Sequence, residues 1–598
     1  MSLLTQTFLP SRTGLLHWAA RPAAWCLLTT LFFVGSALGW GLGALPDWLG
    51  DSDDALRLVT VRELIAGAPW FDTTLPRVGA PEPLLSHWSR LIDLPLVSLV
   101  ALFKPLLGAE GAELATRIVW PALLFFGLLL VVVRDADRRA GPWTAAFALV
   151  FALTCATALV QFKPGRVDHH NAQILCAIAG VLLLVRSLDA ERYGIPAGLL
   201  LGLGLAIGYE ALALIVPALA LAACATLWEP RKGPGVLRAA AAATITMLVA
   251  LLVTGPPGRW LDIRCDALSL NLPVLAAFGT VGLWGALRLG QQATLAMRLL
   301  PMATAGIAGA ITYAALEPAC LAGPFGQVDP AVRPIWLDGV MEGRNVLWLL
   351  AEHPAAALTF VAFVLAGAAA QVAIWLRRGD AATGVLTAIV CLSALLGCWQ
   401  IKLMPYASWL AILPLAIYCA GLRNTQPRSS PLLPIAAVAL LNQATLGIVI
   451  GTAVSAVRSF AGPIAAAQDA DMRACSRSSS VGRLAALPPG LVATDVDLGP
   501  FVVATTPHRV VAAPYHRLDK GILANHAILG GSPDKARDKL AALGVDYVAL
   551  CAPAGLDMPP QEAGSLRARL LGNERIPFLQ ELAIHPTQAI RVWRVVPR

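Results

Sequence analysis

Charge is scarce in this chain. Of its 598 residues only 14% are Asp, Glu, Lys or Arg, while 57% are hydrophobic; soluble domains carry about 25% and about 45–50%. The deficit excludes a freely soluble globular protein and makes the membrane the solvent to reason from. Cysteines at metal-binding spacing are missing too. The 11 cysteines include no CxxC pair and no Cys/His cluster, so neither a zinc-finger nor a redox motif is present. Most lie inside apolar runs, where a small core residue is expected. Cys475 and Cys551 fall instead in the C-terminal soluble part, and an extracytoplasmic setting would permit a disulfide between them. A third absence concerns nucleic acid. Lys plus Arg exceed Asp plus Glu by 45 to 37, a net charge of +8, yet no basic stretch is interleaved with aromatics. The excess reads as loop charge that holds helix ends on the cytoplasmic side, and no nucleic-acid partner is expected. Nor is there a small-residue cleavage site after a short apolar core near the N-terminus. The run from Pro22 to Leu45 is long enough to span and reads as a retained first helix. No internal repeat of solenoid or propeller period is visible.

What the chain has is apolar runs. Those long enough to cross about 30 Å at 1.5 Å per residue lie near 22–45, 114–133, 142–161, 170–186, 195–209, 211–228, 236–255, 268–287, 298–316, 355–376, 382–400, 405–422 and 431–454. A further run, 92–108, is short and interrupted by Pro95, Lys104 and Pro105. Whether it crosses sets the parity of everything after it, and loop charge decides. If it does not cross, the inner loops hold Arg134, Arg138, Arg139, Arg186, Arg192, Arg231, Lys232, Arg238, Arg288, Arg298, Arg377, Arg378, Arg423 and Arg428. The short outer loops then keep Lys163, Arg166, Arg259, Arg264 and Lys402. The opposite choice inverts the positive-inside bias, so 92–108 is expected to be a juxtamembrane or re-entrant helix on the outer side.

The fold class that follows is a polytopic α-helical membrane protein of about thirteen transmembrane helices, in a bacterial cytoplasmic (inner) membrane. Its N-terminus is expected to be cytoplasmic. A transmembrane domain covers 1–460, with long outer loops at about 46–113 and 317–354. An extracytoplasmic α/β domain covers 465–598. In that domain Leu491–Thr494, Phe501–Ala504, Arg509–Ala513, Val545–Cys551 and Ile590–Val596 read as strands. Ser532-Pro533-Asp534 starts a helix that Gly544 closes.

Ionisable groups in mid-membrane would mark a transporter. The chain has few, Glu210 being the clearest. Its polar clusters sit where spans emerge on the outer side. Asp51-Ser52-Asp53-Asp54 leads into a segment containing Arg57, with Leu56, Val59 and Leu64 spaced as on an amphipathic surface helix. One acid there is accounted for as an N-cap; three in four residues exceed that need. Gly165-Arg166-Val167-Asp168-His169-His170-Asn171 puts an acid, two imidazoles and an amide side by side, a set suited to a divalent metal or a diphosphate. Val340-Met341-Glu342-Gly343 and Gln400-Ile401-Lys402-Leu403 are weaker signals. Lys402 reads either as a snorkelling lysine or as a cation for a lipid phosphate. His516, in Ala513-Pro514-Tyr515-His516-Arg517, reads as a loop residue that could cover the site. Trp70, Phe71, His87, Trp88 and Arg90 read as interfacial anchors.

In their order along the chain, these clusters resemble the GT-C superfamily of lipid-linked-sugar glycosyltransferases. The similarity is greatest to the catalytic subunit of oligosaccharyltransferase and its bacterial and archaeal relatives, and it extends over nearly the whole chain. The resemblance implies that the metal-binding, acceptor-facing acid of the first outer loop is Asp53 or Asp54, with Asp51 as an alternative. The acidic pair of the second outer loop falls on Asp168-His169-His170, His170 replacing the second acid. The glutamate of the fifth outer loop falls on Glu342, and the arginine that meets the donor phosphate is replaced by Lys402. A further motif position corresponds to Asp495-Val496-Asp497-Leu498-Gly499. Two departures stand out. Asp495 and Val496 occupy the place of the tryptophan pair that reads an Asn-x-Ser/Thr acceptor, which points away from protein N-glycosylation. Lys for Arg gives up bidentate phosphate geometry, which suits a monophosphate leaving group.

The implied activity moves a sugar or glycan from a polyprenyl-phosphate or -diphosphate donor to a protein, glycan or lipid acceptor, with inversion. The implied site is a divalent cation (Mg or Mn) on Asp53, Asp168, His170 and Glu342, with Lys402, His169 and Arg166 at the donor phosphate. Asp51, Arg57, Asp497 and His516 would belong to the acceptor side or a lid. The competing readings are a lipid or sugar transporter or flippase, and a scaffold subunit without catalysis.

Overall fold

The computed structural model of the protein describes residues 22–39, 45–422, 432–459, 473–552, 564–582 and 589–596. Arg423 and Arg428, and the boundary expected at 460–465, lie outside the described residues. Helices occupy every expected span. Among the described residues eight are long and apolar enough to cross a membrane, or ten if two bent pairs, Pro142–Thr154 with Ala156–Phe162 and Leu432–Leu441 with Gln443–Val457, each count as one crossing. The remaining expected spans are the helices Gly194–Ile207, Leu212–Trp228 and Asn271–Arg288, which fall short by that measure of length and apolarity.

Some of these helices pack at backbone contact. Gly194, Gly198 and Gly202 recur every fourth residue, so one face of their helix carries no side chain. A Cβ built at Gly198 would stand 2.1 Å from the Ala239 carbonyl oxygen of the helix Gly233–Thr254. This is the small-xxx-small packing by which helices associate in lipid, where no hydrophobic force separates them from their solvent. At the other extreme, Leu295–Leu316 buries few of its residues and carries Leu300, Ile307 and Ile311 outward.

The run 92–108 is helical, from Arg90, and is parted from the following span by a break at Gly108, whose φ is 70°. Leu102, Leu106 and Leu107 on it are exposed. The first loop also holds the helix Ser52–Ile65. Asp51 caps it in a reciprocal capping box with Asp54, so two of the three acids serve the helix end as well as facing the loop beyond.

The first loop carries two short antiparallel strands, β1 (Thr74–Leu75) and β2 (Leu84–Leu85). In the C-terminal part, β3 (Leu491–Thr494), β4 (Arg509–Val510), β5 (Tyr547–Cys551), β6 (Leu579–Leu582) and β7 (Ile590–Val595) form one sheet in the order β4-β3-β5-β7-β6. Its first three strands are parallel, and β7 runs antiparallel to both β5 and β6. Phe501–Ala504, expected as a strand, lies in a helix, Gly499–Thr505. Pro500 at its first turn pre-sets the helical φ and needs no amide partner there. The helix at Pro533–Leu543 ends on left-handed Gly544 as expected.

This sheet is not a separate body from the first loop. Residues of Ser52–Ile65 and Gly499–Thr505 share one buried core with Val492, Val510 and Tyr515. Gly79 and Ala80 donate to the Val510 and Val511 carbonyls at 2.9 and 3.0 Å. Arg77 caps the Val503 and Thr506 carbonyls. Two disulfides close the arrangement. Cys475–Cys551 is the pair singled out in the sequence. Cys265–Cys320 joins two residues that border apolar runs and that the sequence pattern does not single out.

Candidate active site

The first-loop acids and the segment 165–171 meet at one end of the helix bundle. Asp54 is fully buried and accepts from the Val167 and Asp168 amides at 2.7 and 2.9 Å. Its other oxygen takes Arg166 at 2.8 Å. Arg166 also pairs with Asp51 and donates to Gln161. The guanidinium expected to meet a donor phosphate is therefore committed to the acids of the first loop, and its work is to hold that loop against 165–171. Burial pushes the Asp54 carboxyl up to about 8 against the opposing charge of Arg166.

Asp53, the next acid on the same turn, is half-buried and faces Tyr515. Desolvation, then the charges of Asp168, Asp51 and Glu342, hold it well above the ordinary carboxylate range. Asp168 goes the other way. Burial opposes its ionisation, but His169 and His170 beside it keep it ionised well below the usual range. His169 Nδ1 lies 2.5 Å from Asp168 Oδ1, and its Nε2 lies 3.4 Å from Glu210 Oε1. Despite burial the two carboxylates raise its pKa well above that of a free imidazole. His170 Nε2 lies 3.3 Å from Asp168 Oδ2.

Glu210 is a correction. Read as a mid-membrane acid, it sits in the turn between Gly194–Ile207 and Leu212–Trp228, beside His169 and within the field of Lys402. The signal available was local: Gly208-Tyr209-Glu210 separates two apolar runs, as a turn does. Glu342 lies in a short turn, Met341–Gly343, whose neighbour Arg344 accepts at its carbonyl from the Ile401 amide at 2.9 Å. The late loop and the Lys402 segment are thereby joined.

The remaining candidates stand differently. Arg57 is fully buried, 2.6 Å from Asp93 and with its guanidinium 4.3 Å above Trp88, so it is part of the packing and no lid. Trp88 and Arg90, expected as interfacial anchors, are buried. Trp88 packs edge-on against Tyr515 and lies 6.3 Å from the His169 ring. Arg90 holds Asp93 and the Trp70 carbonyl, and Trp70 donates to the Val253 carbonyl. Asp497 is exposed in the turn after β3. His516 lies 2.6 Å from Asp266, in a group with His87.

Asp168, His169 and His170 offer ligand atoms within 4.8 Å of one another. Asp168 Oδ2 and Glu210 Oε2 are buried without a hydrogen-bond partner among the described residues. Carboxylate oxygens that make no hydrogen bond, next to acids that repel one another, fit a site for a divalent cation. A cavity of about 500 Å³ opens beside them, with His87, Glu210, Asp266 and Arg517 on its polar side and Ile207, Leu251 and Leu268 on its apolar side.

No protein-family profile matches the sequence, and no curated protein sequence matches it. Solved structures do match. Archaeal oligosaccharyltransferase AglB from Archaeoglobus fulgidus, in complex with an inhibitory peptide and a dolichol-phosphate, superposes with a TM-score of 0.65 at 13% identity, over 96% of this chain and 80% of that one. The chain shares the fold of that oligosaccharyltransferase. Two further structures of the A. fulgidus oligosaccharyltransferase, one in the apo form and one with Zn and sulfate, give TM-scores of 0.61 and 0.57, each at 14% identity and over 89% of this chain. They cover 69% and 68% of those chains.

Proposed function

We propose that this chain is a membrane glycosyltransferase that moves a sugar or glycan from a polyprenyl-phosphate or -diphosphate donor to an acceptor at the outer membrane face. The observation that carries the reading is the convergence of Asp53, Asp168 and Glu210 on one buried end of a GT-C bundle, with two carboxylate oxygens that make no hydrogen bond among the described residues. That the sheet lies outside the cytoplasm, with the N-terminus inside, is supported by the loop charges and by two disulfides on loops assigned to the outer side.

The residues divide the work. Asp54 and Arg166 fix the first loop to the 165–171 segment, which leaves Asp53 to face the acceptor. A first-loop carboxylate not tied to the metal would orient the nucleophile and take its proton as the new bond to the anomeric carbon forms. The bond from that carbon to the phosphate oxygen breaks, and the phosphate leaves with the electron pair, so the centre inverts. Lys402 would supply a fixed cation to that phosphate. Asp168 and His170, with the carboxylates of Asp53 and Glu342, would hold a divalent ion such as Mg or Mn, which when bound stabilises charge on the leaving phosphate. His169, clamped between Asp168 and Glu210, keeps both carboxylates oriented. The acceptor can be a protein side chain, a glycan or a lipid; the absence of a tryptophan pair at Asp495-Val496 argues against an Asn-x-Ser/Thr sequon.

Complementation of a deletion strain tests this. Asp53→Asn and Asp168→Asn variants that insert normally should fail to restore the missing glycoconjugate. Full restoration by both would leave the transporter or scaffold readings standing.

A further inference from the structure

A second polar cluster borders the same cavity through His87 and Asp266 and is built from three separate segments. His87 comes from the first long loop, Asp266 from the loop after Gly233–Thr254, and His516 from the turn that leads into the helix Asp519–Leu529. Their ligand atoms lie within 4.8 Å of one another. The His87 and His516 rings are 4.6 Å apart. His87 Nδ1 is buried and has no hydrogen-bond partner among the described residues. We infer that His87, Asp266 and His516 form a second metal site, suited to zinc, that clasps the C-terminal elements onto the first loop.

The chemistry of the set points to zinc over magnesium. Two imidazole nitrogens and one carboxylate form a ligand set typical of zinc, whereas magnesium demands oxygen. Neutral imidazole and ionised carboxylate are the forms that ligate. Burial, above all, keeps His87 neutral, well below the usual imidazole range. Hydrogen bonds from His516 and Arg517 keep Asp266 ionised despite burial. In a tetrahedral zinc site, ligand atoms about 2.0–2.1 Å from the metal stand about 3.3 Å from each other. The three residues therefore need only a small closure, with the 2.6 Å Asp266–His516 contact opening as the metal replaces the proton they share.

The surroundings suit a fixed ligand set. Arg517 grips both oxygens of Asp266 at 2.6 and 2.8 Å, which orients the carboxylate as outer-shell partners of metal ligands do. Asp266 follows directly on Cys265, whose disulfide to Cys320 anchors that loop. Metal has a route in, since His87 and Asp266 border the larger cavity while Asp266 and His516 border a smaller one of about 190 Å³. Nothing here depends on the transferase reading, and either can fail alone.

Full-length protein in detergent, stripped with chelator and re-equilibrated with Zn(II), should be assayed for bound metal by mass spectrometry. Wild type should hold one more zinc per chain than His87→Ala or His516→Gln, the latter retaining a hydrogen-bond donor towards Asp266 so that the fold survives. A His170→Ala variant should keep that additional zinc, which separates it from any metal at Asp168. Zinc should also slow proteolysis of the C-terminal elements in wild type and not in the two variants. Equal zinc in wild type, His87→Ala and His516→Gln, with all three monodisperse, would overturn the inference.

Discussion

The two polar clusters meet at one cavity, through Glu210 on one side and His87 and Asp266 on the other, but differ in charge. Around Asp168 the carboxylates of Asp51, Asp53, Asp54, Glu210 and Glu342 outnumber the nearby cations Arg166, Lys402 and His169. Around Asp266 a single carboxylate answers Arg517 and two imidazoles. A surplus of oxygen anions attracts hard divalent ions and, through them, phosphate. Nitrogen ligands with little net charge select a softer ion by bonding geometry. Chemistry and structure are thereby assigned to different clusters, and that division can be attacked experimentally.

The largest effect is expected at Asp168. Asp168→Asn removes the charge that His169 and His170 face, and transfer should fall about 10²–10³-fold, the loss typical of one preorganised electrostatic group. Initial rates on membranes of equal protein content would show it. Next comes Arg57, which belongs to neither cluster. Arg57→Ala strands a fully buried Asp93, flanked then by Arg90 alone, and should destabilise the protein by about 3–5 kcal/mol, read as a lowered unfolding midpoint. Removing the Cys475–Cys551 link by a double Ser substitution should cost about 2–4 kcal/mol. That loss should appear first as proteolysis of the sheet and leave the bundle helices intact. The smallest effect is at Lys402. Lys402→Met should raise KM for the donor about tenfold, while Lys402→Arg keeps the charge and most of the affinity. A kcat loss without a KM change in Lys402→Met would remove it from donor binding.

Much of the bundle was legible because burial in lipid demands long apolar runs with satisfied backbones, and sequence shows these directly. The acids at 51–54 and the Asp168-His169-His170 run were legible because their residue types are costly at a membrane surface unless used. What escaped depended on partners distant in sequence. Glu210 gains its meaning from His169, 41 residues away, and Asp266 from His516, 250 residues away. Arg166 looked available for phosphate because nothing local reveals its pairing with Asp51 and Asp54. Phe501–Ala504 misled for another reason: a short, fully buried run of apolar and β-branched residues carries no period that separates strand from helix. Only the Gly499-Pro500 start favoured the helix. Cys265 and Cys320 were hidden by neighbouring apolar runs, whereas Cys475 and Cys551 lay clear of them.

The claim that the Asp168 end of the bundle uses a lipid-linked donor is tested most directly by mass spectrometry of lipids from cells expressing wild type or Asp168→Asn as the sole copy. A polyprenyl-linked sugar should accumulate in the variant while one glycoconjugate disappears. Unchanged polyprenyl-linked sugars, with the variant correctly inserted and the glycoconjugates intact, would contradict the account.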